Sequence, residues 1–84
     1  MGVKAVVEVL ARALADRPDD VRVVESQHKG TTLVELYVAP GDAGKMIGRQ
    51  GRTVAALRTL ASTAGEKEGK TVTLEIRDTP YKDQ

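Results

Sequence analysis

The sequence predicts an α+β domain, a two-layer sandwich in which helices cover one face of a three-stranded sheet, with elements in the order αββααβ. Three observations predict it. Apolar residues recur at helical spacing near the start of the chain and again after Arg52. Three short segments rich in β-branched residues alternate with a period of two. Glycine, proline and aspartate punctuate the joins between these segments. A chain of 84 residues accommodates one such domain, placed at residues 1–77, with a flexible tail over 78–84.

The elements follow in order. Val3, Val6, Val7, Leu10 and Leu14, with Ala13 beside them, form the apolar stripe of a first amphipathic helix. Arg17-Pro18 ends it, because the residue before proline is pushed out of the helical region. Val21 to Gln27 is a short β-branched strand, and His28-Lys29-Gly30 turns it into a second. In that second strand Thr32, Val34, Leu36 and Val38 share one face. The two strands make an antiparallel hairpin. Ala39-Pro40-Gly41 closes the second strand, and Asp42 is read as the N-cap of a short helix reaching Ile47. A longer helix runs from Arg52 to about Ala64, with Val54, Leu57, Ala61 and Ala64 on one stripe and Gly65 as its stop. Thr71 to Arg77 alternates again and forms the third strand. Its spacing is compatible with pairing to either hairpin strand.

Composition narrows the function classes. Hydrophobic residues make up 40% and charged residues 30%, which is a folded rather than a disordered balance. Without cysteine there is no disulfide or thiolate metal site, in keeping with a reducing cytoplasm. No apolar run approaches the roughly 20 residues that span a bilayer, and no signal-peptide pattern is present. The expected location is therefore cytoplasmic, with no membrane insertion. Net charge is only +1, but it is unevenly spread. The segment from Ala43 to Gly65 carries Lys45, Arg49, Arg52 and Arg58 and no acidic residue, while the rest of the chain sums to −3. A basic segment against an acidic remainder is an anion-binding signal.

That segment contains Gly48-Arg49-Gln50-Gly51, two glycines three apart between two predicted helices. Glycine adopts positive φ and has no side chain to hold a ligand off, so the backbone can turn sharply against a phosphate chain. The loop feeds a helix N-terminus, where free N–H groups and the helix dipole favour an anion. Lys45, Arg49 and Arg52 add side-chain charge. Two glycines alone are weak evidence, since helix–loop–helix turns use glycine for steric reasons. The apolar Met46-Ile47 before the loop, the cations around it and Val54 beyond it raise its specificity. With no Phe or Trp and only Tyr37 and Tyr81, base stacking on aromatics is not the dominant mode. An aliphatic surface from Ile47 and Val54 is the alternative, whereas Leu36 is assigned to core packing.

Ile47-Gly48-Arg49-Gln50-Gly51-Arg52-Thr53-Val54 resembles the I-G-x-x-G-x-x-I core of KH domains, with Val54 in place of the last isoleucine. The element order resembles the type II arrangement. Val38-Ala39-Pro40, Gly44-Lys45-Met46-Ile47-Gly48 and Gln50-Gly51-Arg52-Thr53 are similar to the stand-alone KhpA family of small bacterial KH proteins. The resemblance implies a loop that clamps the backbone of single-stranded RNA, with Lys45, Ile47, Gly48, Arg49, Gln50, Gly51, Arg52 and Val54 as its contact residues. It implies an RNA chaperone or post-transcriptional regulator linked to cell shape and envelope control. It also implies a homodimer, or a heterodimer with a larger KhpB-like KH protein.

Other chemistries are poorly supported. Gly41-Asp42-Ala43-Gly44-Lys45 has only two residues between its glycines and Met46 after the lysine, so it lacks the nucleotide P-loop spacing. His28 is the sole histidine and sits in a predicted turn, and no carboxylate pair is marked for acid–base work. The reading is a non-enzyme without metal or cofactor. A protein-interaction module is the second reading. Leu60 lies beside Thr53 and Ala56, off the core stripe of the long helix, and the three could meet another subunit.

Overall fold

The computed structural model describes residues 1–78 and has the expected order. It comprises α1 (Val3–Leu14), β1 (Arg22–His28), β2 (Thr31–Val38), α2 (Pro40–Ile47), α3 (Arg52–Lys67) and β3 (Thr71–Asp78). Short 3-10 turns occupy Pro18–Asp20 and Arg49–Gly51. The expected tail beyond β3 lies outside the described residues. Asp78, which the sequence reading assigned to that tail, pairs with Val38 as the last residue of β3.

The strand order is β1-β2-β3, and β2 is central. β1 pairs antiparallel with β2, Val23 opposite Leu36. Their hairpin closes in two residues, Lys29 (φ 52°) and Gly30 (φ 83°), so His28 belongs to the strand and not to the turn. Both central residues at positive φ match the twist of the flanking strands. The pairing left open by the sequence is settled by β3, which runs parallel to β2 with Leu36 opposite Ile76. Parallel neighbours need a long crossover. Here α2, the glycine loop and α3 supply it.

Alternation on β2 works as expected. Thr32, Val34, Leu36 and Val38 are buried under the helices, while Thr31, Leu33, Glu35 and Tyr37 are half-buried on the open face. Val3, Val7 and Ala11 of α1 and Leu57 and Ala61 of α3 complete the core with Val21, Met46 and Leu74. Leu36 has no exposed surface, in line with its assignment to packing. On the open face Arg77 pairs with Glu35 at 2.9 Å and also with Glu75.

Three local expectations need correction. α1 ends at Leu14, short of Arg17-Pro18, and Leu14 is exposed. The cause is Asp42. Its Oδ1 accepts the backbone N–H of Asp16 at 3.1 Å, and its Oδ2 accepts that of Arg17 at 3.0 Å. A continued helix would need those same N–H groups for its i−4 bonds. Asp42 is therefore not an N-cap. α2 starts at Pro40, after Ala39, as proline's fixed φ favours at a first helical position. Asp42 lies within that first turn and is only 2% exposed.

The third correction concerns Gly65. α3 continues past it to Lys67. The termination signal is Gly69 at φ 70°. Gly69 N–H bonds to the Glu66 carbonyl at 3.1 Å and Lys70 N–H to the Gly65 carbonyl at 2.9 Å, a Schellman motif. Gly65 instead lets α3 approach β3. A Cβ there would overlap Val72 Cγ2 and lie 3.2 Å from the Lys70 carbonyl oxygen. Gly→Ala inside a helix normally stabilises by about 1 kcal/mol. At Gly65 the sign reverses: Gly65→Ala is expected to destabilise by about 1–2 kcal/mol from overpacking, read as a lowered urea midpoint.

Candidate nucleic-acid interface

The glycine loop is the whole connection between two helices, and its conformation is dictated residue by residue. Gly48 N–H closes α2 on the Gly44 carbonyl at 2.8 Å. Gly48 itself takes φ 78°, ψ 171°, a region open in practice only to glycine. Its lack of a side chain is needed twice over, because a Cβ would sit 2.7 Å from Thr53 Cβ and 2.9 Å from Thr53 N. Gly51 N–H returns to the Gly48 carbonyl at 3.1 Å, so the four residues form one tight turn. Gln50 (φ 58°, ψ 24°) and Gly51 (φ 73°, ψ 16°) are successive left-handed residues, and α3 starts immediately after them. Among the described residues no side chain caps that helix start.

The contact residues proposed from sequence divide by environment. Arg49 and Gln50 are exposed at the tip of the turn. The Arg49 side chain has no hydrogen-bond or ion-pair partner among the described residues. Arg52 Nη2 donates to Gln50 Oε1 at 3.2 Å, which folds that guanidinium back over the loop. Ile47 is 47% exposed beside the turn, whereas Val54 is 8% exposed and sits beneath it. The aliphatic surface next to the loop is thus Ile47, with Val54 as its support. Gly41-Asp42-Ala43-Gly44-Lys45 is helical within α2 and makes no phosphate cradle.

Two of the four cations in the acid-free segment are engaged away from the loop. Arg58 Nε donates to the Leu74 carbonyl at 3.3 Å, which directs that side chain to β3. Lys45 Nζ reaches Asp16 Oδ1 at 2.9 Å. Hydrogen bonding to Asp16 and the charge of Asp16 raise the Lys45 pKa above the ordinary lysine value, with Asp42 adding to the rise. The sequence reading did not identify Asp16 or the buried role of Asp42. They are separated by 26 positions, and no local signal links them.

Further along α3, Thr53, Ala56 and Leu60 lie on one strip beside the buried Val54, Leu57 and Ala61. Thr53 is half-buried against Gly48, Ala56 is exposed, and Leu60 is 46% exposed. Among the described residues no cluster of His, Cys, Asp or Glu is arranged to hold a metal. No helix among them is long and apolar enough to cross a membrane.

Comparison with known proteins shows the family to which the chain belongs. The family model for the KH domain of KhpA/KhpB matches residues 4–76. The RNA-binding protein KhpA of Aquifex aeolicus is 48% identical over 73 residues, covering 87% of this chain and 92% of that protein. The protein of the same name from Halalkalibacterium halodurans is 48% identical over 75 residues, covering 89% of this chain and 99% of its own. Among solved structures, Era in complex with MgGDPNP and nucleotides 1506–1542 of 16S ribosomal RNA superposes with a TM-score of 0.65 at 18% identity. That match covers 90% of this chain and 29% of the Era chain, and it bears on the fold alone. With the family model spanning nearly every described element, and relatives this similar over almost their full length, the chain belongs to the KhpA/KhpB KH-domain family.

Proposed function

We propose that this protein binds single-stranded RNA by its sugar-phosphate backbone at the Gly48–Gly51 turn. The turn itself carries the reading. Two left-handed residues lead directly into an uncapped helix start, and neither glycine places a side chain between backbone and ligand. Lys45, Arg49 and Arg52 supply the phosphate contacts. Ile47, supported by Val54, supplies an aliphatic surface for a base, and Gln50 a polar edge. The names of its relatives as RNA-binding proteins support RNA as the ligand. Such a site positions a strand and carries little sequence preference. That suits a cytoplasmic RNA chaperone or post-transcriptional regulator acting without a cofactor. A link to cell shape and envelope control is supported by the family resemblance.

Three phosphate contacts predict a definite salt response. For single strands the slope of log K against log salt is about −0.7 per phosphate neutralised, so binding should follow a slope no steeper than about −2, the limit with all three cations at full strength. An affinity insensitive to salt would contradict backbone recognition.

One observation favours pairing as well. The strip Thr53, Ala56 and Leu60 leaves a large aliphatic side chain half in water beside the loop's own helix. We assign it to contact with a second KH unit, either another copy or a larger KhpB-like partner. Leu60→Glu should then give a folded monomer by light scattering, and its melting temperature at low protein concentration should stay within about 4 °C of the unmodified monomer. Joining two weak loops would raise working affinity through effective concentration.

A further inference from the structure

We propose that Asp16 sets the affinity of the phosphate site: its carboxylate occupies the Lys45 ammonium in the free protein and competes there with an RNA phosphate. This inference rests on the reading of the Gly48–Gly51 turn as the RNA site and deepens it.

The contact is built and not a chance encounter of two surface side chains. Asp42 of α2 is buried and holds the backbone N–H groups of Asp16 and Arg17 through its two carboxylate oxygens. Those bonds stop α1 and seat this segment against α2. Lys45 follows Asp42 by three residues, so the two share one face of α2. The same helical turn therefore fixes the backbone of Asp16 and receives its side chain, at 2.9 Å. The other two proposed phosphate ligands are not neutralised in this way. Arg52 is bonded to the uncharged amide of Gln50, and Arg49 has no partner among the described residues.

The consequence follows from the charges. A phosphate approaching Lys45 must displace or share the carboxylate, and it meets the repulsion of that carboxylate while doing so. Both members of the pair are substantially exposed, so solvent and salt weaken their attraction. Asp16 is thus a graded attenuator and not a lock. Two cations act at full strength and one at reduced strength, which shortens the lifetime of each complex. Rapid release is a useful property for a protein that must bind and leave many RNA strands.

The test uses fluorescence anisotropy with a short labelled oligouridylate and the full chain, across a range of salt. Asp16→Asn keeps the backbone N–H that Asp42 holds and removes the charge. It should tighten binding about two- to fivefold and steepen the salt slope by up to about 0.7. Asp19→Asn removes the same charge from the same segment and serves as the control, because the side chain of Asp19 does not engage Lys45. In a Lys45→Met background the gain from Asp16→Asn should shrink to that of Asp19→Asn. The inference is overturned if Asp16→Asn binds no tighter than Asp19→Asn, or if its gain is undiminished without Lys45. Normal RNA binding with either of these outcomes sinks the role of Asp16 alone. A wild-type chain that does not bind the probe at all overturns both this inference and the site it rests on.

Discussion

Replacing Arg49 and Gln50 together by aspartate should lower affinity for single-stranded RNA by at least about tenfold at physiological salt. The double change removes Arg49, which has no partner among the described residues, and places two negative charges where phosphates would approach. Its structural cost is small. Both side chains are exposed, and surface substitutions away from special features fall within about 0.5 kcal/mol. Gln50 is left-handed, but aspartate is among the few non-glycine residues that visit this region readily. Arg52 loses the Gln50 amide and acquires a carboxylate in its place. The thermal midpoint should therefore move by less than about 4 °C, measured by circular dichroism on the same samples. A large loss of stability would show that the loop had been disrupted and not merely discharged.

Gly48→Ala should have the opposite character, with a structural effect first and a functional one as its result. The glycine-only backbone region costs an alanine about 1–3 kcal/mol. Overlap of the new Cβ with Thr53 adds a similar amount, because Thr53 is held in the first turn of α3 and its backbone N is one of the atoms approached. Each kcal/mol lowers the midpoint of a domain this size by about 4–8 °C, so a fall of about ten degrees or more is expected. RNA binding should weaken even at temperatures where the variant is folded, since relieving the overlap must open the turn. Thermal melts and anisotropy below the melting range separate the two effects.

These three positions show why the loop could be read from sequence while its surroundings could not. The pattern Ile47-Gly48-Arg49-Gln50-Gly51 is local: its glycines, cations and flanking apolar residues lie within a few positions of one another. The same holds for the alternation of Thr32, Val34, Leu36 and Val38, which needs only a buried sheet face. Apart from His28, whose place is decided by the local turn at Lys29-Gly30, the misread features depend on partners distant in sequence. The early end of α1 is set by Asp42, far along the chain, and an aspartate after Pro-Gly gives no sign that it will be buried. Gly65 resembles a helix stop until β3 is known to cross it at Val72. The pairing of β3 was undecided because an alternating strand fits either neighbour. What decides it is the crossover through α2 and α3. Lys45 and Arg58 counted equally toward the basic segment in sequence, yet the fold directs one to Asp16 and the other to a strand carbonyl.

The most direct test of the central claim is a titration of isotope-labelled protein with single-stranded RNA, followed through backbone amide chemical shifts. Backbone recognition at the turn predicts that perturbations concentrate at Gly48 to Val54 and at Lys45 and Ile47. Shifts centred instead on the open sheet face, around Arg22, Tyr37 and Arg77, with the Gly48–Gly51 amides unmoved, would contradict it.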